Sequence, residues 1–138
     1  MSDQALQAAS VVLVEDDAAV RQALSLYLET IHGCHVTAVP DLKSLAAALA
    51  GAGTPPALLI TDLKLANGES GIDAVNFARK FYGTAFPALL LTGDCSFSLP
   101  LSSAIPVLHV LTKPFEFDAF SAALGDLMQQ RPPSDLPR

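Results

Sequence analysis

Four short apolar runs, each stopping on a residue with usable chemistry, constrain this chain more than any other feature in it. Val11-Val12-Leu13-Val14 stops at Glu15-Asp16-Asp17, and Ala57-Leu58-Leu59-Ile60-Thr61 stops at Asp62. Ala88-Leu89-Leu90-Leu91 leads into Thr92-Gly93, and Val107-Leu108-His109-Val110-Leu111-Thr112 into Lys113-Pro114. Runs this short, rich in Val, Ile and Leu and lacking polar alternation, suit strands covered on both faces in a parallel sheet. Parallel strands bring their C-terminal ends to one edge. Ligands of open α/β sheets bind at that edge, beside the topological switch point. Acids, a hydroxyl and a lysine therefore converge there if the runs pair.

The intervening segments carry helical spacing. Val20, Leu24, Tyr27, Leu28 and Ile31 recur at intervals of three and four, which predicts a helix over 19–30. The more polar run His35-Val36-Thr37-Ala38-Val39 suits a strand near an edge and ends at Pro40. Asp41 is a natural N-cap for a helix over 42–50, which Gly51 and Gly53 close. Residues 64–70, with Asn67-Gly68, read as a loop before a helix over 71–81 that offers Ile72, Val75 and Phe77 for packing. Phe117, Phe120, Leu124 and Leu127 predict a last helix over 117–129 docked on the sheet.

Residues 96–106 contain Pro100 and Pro106. Proline costs about 3 kcal/mol in a helix interior, so the fourth helix is expected to be short or broken. Strand and helix thus alternate five times, which implies a parallel sheet between two helical layers. Residues 1–10 are expected to be a flexible N-terminus, 11–129 a single domain and 130–138 a Pro-rich tail.

A chain of 138 residues, 51% hydrophobic, can bury one good core. Its net charge of −6 and lack of a Lys/Arg cluster argue against a nucleic-acid surface. Apolar stretches fall short of the roughly 20 residues needed to span a bilayer, and the first ten residues lack the pattern of a signal peptide. A cytoplasmic location is expected. Cys34 and Cys95 have no pairing pattern and read as two reduced thiols.

At the shared edge, Glu15, Asp16 and Asp62 would repel one another. Two unit charges about 4 Å apart at an effective dielectric of about 20 interact by roughly 4 kcal/mol. Oxygen ligands without His or Cys suit a hard divalent cation, and a half-open site with few carboxylates suits Mg²⁺ better than Ca²⁺. Lys113 adds a positive charge that pairs readily with phosphate. Thr92 adds a hydroxyl donor. An aspartate can attack phosphorus to give an acyl phosphate, and Asp62, alone at its strand end, is the better nucleophile. Glu15 and Asp16 are then left to hold the metal. His109, inside an apolar run, reads as a packed residue, and His32 and His35 receive no role. Phe115, Phe117 and Phe120 read as core, and an exposed member of the three would mark a partner surface.

Taken in order, Val11-Val12-Leu13-Val14-Glu15-Asp16-Asp17, Ile60-Thr61-Asp62-Leu63-Lys64-Leu65, Leu91-Thr92-Gly93 and Leu111-Thr112-Lys113-Pro114-Phe115 resemble the receiver domain of two-component response regulators. The resemblance runs from about Val11 to Gln129 and extends to receivers of hybrid sensor kinases and their stand-alone relatives. It implies a flavodoxin-like (βα)5 three-layer sandwich. It also implies that Asp62 is the phospho-acceptor, that Glu15 and Asp16 are the Mg²⁺-binding acids, and that the Lys64 backbone carbonyl is a further metal ligand.

The same resemblance makes Thr92 the switch hydroxyl and Lys113 the phosphate-pairing lysine, with a cis Lys113-Pro114 bond. Lys64 and Asp94 fall where the family steers the water that removes the phosphoryl group. The implied partners are a histidine kinase or histidine phosphotransfer protein and a downstream protein target, for a monomer or weak dimer. No nucleic acid or membrane partner is expected, and no enzymatic activity beyond autocatalytic phosphoryl acceptance. Val110 stands where the family often has an aromatic, Ala66 replaces a common proline, and the loop from Leu65 to Gly71 is one residue longer than usual.

Other readings are distinguishable. A pseudo-receiver would work as an interaction module without phosphorylation, which Val110 and the degraded fourth helix favour and the full set Glu15, Asp16, Asp62, Thr92 and Lys113 disfavours. A haloacid dehalogenase-type phosphatase would want an aspartate where Lys64 stands. A dinucleotide-binding domain would need a glycine-rich turn where Glu15-Asp16-Asp17 stands.

Overall fold

A computed structural model describes residues 8–51, 53, 55–93 and 108–129. The apolar runs become strands β1 (Ser10–Val14), β2 (His35–Val39), β3 (Leu58–Asp62), β4 (Ala88–Thr92) and β5 (Leu108–Thr112). Helices α1 (Ala18–Ile31), α2 (Leu42–Ala50), α3 (Gly71–Tyr82) and α4 (Phe117–Gln129) follow β1, β2, β3 and β5, and a single 3-10 turn spans Ala66–Gly68. The segment expected to hold a short or broken helix, with Asp94 and Cys95, lies outside the described residues, as do 1–7 and 130–138.

All strand pairs are parallel, in the order β2-β1-β3-β4-β5. The polar run His35–Val39 is an edge strand, in line with its pattern. β1 starts at Ser10, inside the segment expected to be flexible, and Ala9 adds a further backbone bond by accepting from the His35 N–H at 2.8 Å. The fold is the three-layer parallel α/β sandwich that the strand and helix pattern predicts.

Side chains alternate across the sheet, so each central strand feeds two cores. Val11, Leu13, Leu58, Ile60, Leu89 and Leu91 pack with Leu24 and Leu28 of α1 and Phe120, Leu124 and Leu127 of α4. Val12, Val14 and Leu59 pack on the opposite face with Leu45 and Leu49 of α2 and Ala74, Val75 and Ala78 of α3. Each fully buried Leu or Val contributes roughly 1.5–3 kcal/mol relative to exposure. Phe117 departs from the expected core stripe: it is 45% exposed and stacks on Tyr27 of α1 with ring centroids 4.1 Å apart.

The chain passes from β1 to β2 on one side and returns to β3 on the other, so the strand order reverses between β1 and β3. The C-terminal ends of these two strands bound the crevice where such folds bind ligands. No helix among the described residues is long and apolar enough to cross a membrane.

Candidate functional site

Three consecutive acids leave β1, and local structure gives them different tasks. The Asp17 side chain caps α1, accepting from the N–H groups of Ala19 at 2.9 Å and Val20 at 3.2 Å. Glu15 turns inward, only 1% exposed, while the Arg21 guanidinium donates to the Glu15 backbone carbonyl at 2.8 Å. With Asp17 committed to the helix, Glu15 and Asp16 remain for the crevice. Their carboxylates and that of Asp62 offer ligand oxygens within 4.8 Å of one another.

Asp62 is set by the end of β3. The Thr61 hydroxyl, fully buried, donates to the Asp62 carbonyl at 3.0 Å. Gly71, the first residue of α3, lies so close to that same carbonyl that a Cβ would collide with its oxygen and with Leu90. This position requires glycine for close approach.

From the far side, β5 delivers Lys113, whose backbone N–H donates to the Thr92 carbonyl at 2.7 Å and whose peptide bond to Pro114 is cis. Lys113 Nζ lies 2.8 Å from Asp62 Oδ1 and 3.9 Å from Glu15 Oε1. Asp62, Lys64, Thr92, Gly93 and Lys113 line one cleft, with Thr92 buried and Lys64 exposed at its rim.

Burial pushes the Glu15 carboxyl up from its ordinary 4.5 to about 7. The Asp17 N–H, donating to Glu15 Oε2 at 3.2 Å, opposes this; the Asp62 charge adds to it, and Lys113 opposes it in turn. Glu15 Oε1, also buried, accepts no hydrogen bond among the described residues. A buried carboxylate oxygen costs free energy unless something positive faces it. Lys113 at 3.9 Å does so only in part. The donor set therefore fits a hard divalent cation, which would bind the all-oxygen cluster and relieve the Glu15 charge.

The fold thus brings Glu15, Asp16, Asp62, Thr92, Lys113 and Lys64, the residues singled out in the sequence, to one sheet edge. His109 is half-buried in β5 and His35 is exposed on the edge strand. His32, assigned no role, is buried, and its Nε2 is 2.9 Å from the Ser121 hydroxyl, which also bonds the Tyr27 hydroxyl at 2.6 Å. This network ties α1 to α4. Sequence reasoning also missed Glu69, whose Oε1 accepts from the Leu42 N–H at 3.1 Å. Neither pairing leaves a local signal, because the partners are 89 and 27 positions apart.

No family model matches the chain. The phyllosphere-induced regulator PhyR of Methylorubrum extorquens is 31% identical over 93 residues, covering 63% of this chain and 34% of PhyR. The chain therefore spans about a third of the length of that curated relative. A response regulator receiver protein from Sinorhizobium medicae superposes with a TM-score of 0.76 at 24% identity, covering 92% of this chain and 99% of that one. The anti-anti-sigma factor PhyR from Bartonella quintana superposes with a TM-score of 0.66 at 22% identity, covering 88% of this chain and 48% of that one. The chain resembles response regulator receiver domains and has their fold.

Proposed function

We propose that this chain, with the fold of response regulator receiver domains, accepts a phosphoryl group on Asp62 and signals by a conformational change read through protein contact. The observation that carries the reading is the ion pair of Asp62 with Lys113 at 2.8 Å, inside a cluster where Glu15 keeps a buried oxygen without a hydrogen bond among the described residues. Asp62 attacks the phosphorus of a phosphohistidine on a histidine kinase or phosphotransfer protein. The P–N bond breaks, the electron pair leaves with the imidazole, and an acyl phosphate forms on Asp62. Lys113 follows the charge from the carboxylate to the phosphoryl oxygens, and the Thr92 hydroxyl donates to one of them.

Glu15, Asp16 and Asp62, with the Lys64 backbone carbonyl, would hold Mg²⁺, which supplies charge neutralisation for the phosphoryl group. No separate substrate is turned over. The partner that reads the change is a protein; one relative of this fold is named as an anti-anti-sigma factor, which fits output by contact. A cytoplasmic protein, monomeric or weakly dimeric, suits this role.

Incubation with acetyl phosphate and Mg²⁺ tests the reading by intact-mass measurement. The native chain should gain one phosphoryl group and Asp62→Asn none. No gain in the native chain, or an equal gain in Asp62→Asn, overturns it. Val110, where receivers often carry an aromatic, favours a second reading, an interaction module that works unphosphorylated, and that reading prevails if the native chain gains nothing.

A further inference from the structure

Residues 63–70 connect Asp62 to α3 and carry Lys64 along the cleft. Lys64 and Ser70 pair as an antiparallel bridge, the Leu65 N–H donates to the Glu69 carbonyl at 3.0 Å, and the Glu69 N–H donates to the Ala66 carbonyl at 3.2 Å. Asn67 and Gly68 close the turn with φ values of 63° and 76°. Only Leu65 is buried within the turn. The stems are fixed by the Leu63 N–H on the Leu91 carbonyl and the Gly71 N–H on the Leu63 carbonyl, both at 2.7 Å, which leaves the outer part of the turn needing a tie of its own.

Glu69 supplies that tie. Its Oε1 accepts from the N–H of Leu42, the first residue of α2, at 3.1 Å. The first N–H groups of a helix have no partner within it, and a carboxylate there gains from both the charge-assisted bond and the helix dipole. Asp41 satisfies the Ser44 N–H of the same turn at 2.8 Å, so the two acids take different donors. α2 is in turn anchored through Leu45 and Leu49 in the core. The turn beside Asp62 is thereby referenced to a rigid element that contributes nothing to the cleft itself.

We infer that Glu69 is a positioning residue for the Asp62 site: by bonding the Leu42 N–H it fixes the 63–70 turn, and with it the Lys64 backbone, against the acidic cluster. The inference rests on the receiver reading of that site. Loss of the tether loosens the turn and weakens cation binding about tenfold, the low end of what outer-shell support contributes to a metal site.

The experiment is a Mg²⁺ titration of the full chain followed by backbone amide NMR. Glu69→Ala should bind Mg²⁺ about tenfold more weakly than the native chain, with displaced Lys64 and Ser70 amide signals, while Glu69→Gln, which keeps an acceptor oxygen, stays close to native. Leu42→Pro tests the tether from the other end. It removes the donor N–H at a position where proline is tolerated, and Asp41 already has the extended backbone, φ −154° and ψ 176°, that a following proline requires. It should weaken Mg²⁺ binding as Glu69→Ala does.

Mg²⁺ affinity within twofold of native in both Glu69→Ala and Leu42→Pro, or a Glu69→Gln as weak as Glu69→Ala, overturns the positioning role. A native chain that does not respond to Mg²⁺ instead overturns the receiver reading, and this inference with it.

Discussion

The Cα of Gly71 rests against the backbone carbonyl of Asp62 with no room for a methyl group between them. The start of α3 and the end of β3 are thus in direct backbone contact at the residue that faces Lys113, and the buried Thr61 hydroxyl braces the same carbonyl.

Gly71→Ala is therefore expected to force the two backbones apart. The closest clash is with the Asp62 backbone oxygen, which cannot swing away as a side-chain tip can, so the cost is about 1–3 kcal/mol, as for overpacked cores. Chemical denaturation measures it, and a variant as stable as the native chain refutes the close-approach requirement.

Lys113→Met removes the cation that faces both Asp62 and Glu15. Phosphoryl gain from acetyl phosphate should slow by at least about tenfold, since preorganised positive charge at a reacting centre is worth this much or more. Far-ultraviolet circular dichroism should remain native, because the side chain is half-exposed at a strand end.

Glu15 makes the metal-free protein pH-sensitive. Its folded-state value of about 7 lies above the ordinary 4.5, so the folded chain holds this proton more tightly than the unfolded one. The Glu15 contribution to stability is then full below the unfolded value and is lost as pH rises through the folded one. Added Mg²⁺ should raise the Tm more at about pH 8, where the carboxylate is charged, than at about pH 5.5, and Glu15→Gln should flatten the metal-free dependence. An equal Mg²⁺ effect at both pH values would count against a shared site.

Asp16 and Asp17, adjacent in sequence, should separate cleanly. Asp17→Ala loses the α1 cap and roughly 1 kcal/mol of stability while leaving Mg²⁺ affinity near native. Asp16→Asn should do the reverse. Paired thermal melts and Mg²⁺ titrations distinguish them, and loss of Mg²⁺ binding in Asp17→Ala would reassign the acidic pair.

Ser121→Ala removes the oxygen bonded by both the Tyr27 hydroxyl and His32 Nε2. Loss of this shared partner should cost about 1–3 kcal/mol in thermal or denaturant unfolding and loosen α4 against α1. Unchanged stability would mean that water replaces the hydroxyl without penalty.

The fold was legible because its strands are buried on both faces and their composition is unlike that of anything between them. Val11–Val14 and Leu58–Ile60 could be nothing but interior, and the polar His35–Val39 run named its own edge position. The convergence of the candidate site residues on one edge was legible for the same reason: Glu15 and Asp62 end apolar runs where a polar residue has no packing purpose. Phe117 misled, since helical spacing assigns it to the core stripe, yet as the first residue of α4 it covers Tyr27 rather than the sheet. His32 and Glu69 were opaque because their meaning lies in partners from distant elements, Ser121 and Leu42, which no local pattern announces.

The parallel order of the sheet has a consequence for the growing chain. β1 and β3 bring the acids together, but Lys113 arrives only with β5, the last of the described strands in chain order and an outer one in the sheet. An incomplete chain would hold Glu15, Asp16 and Asp62 in mutual repulsion with no lysine opposite. The ion pair at Asp62 is therefore a late contact: it joins residues on either side of β4 and forms only once β5 has docked along that strand.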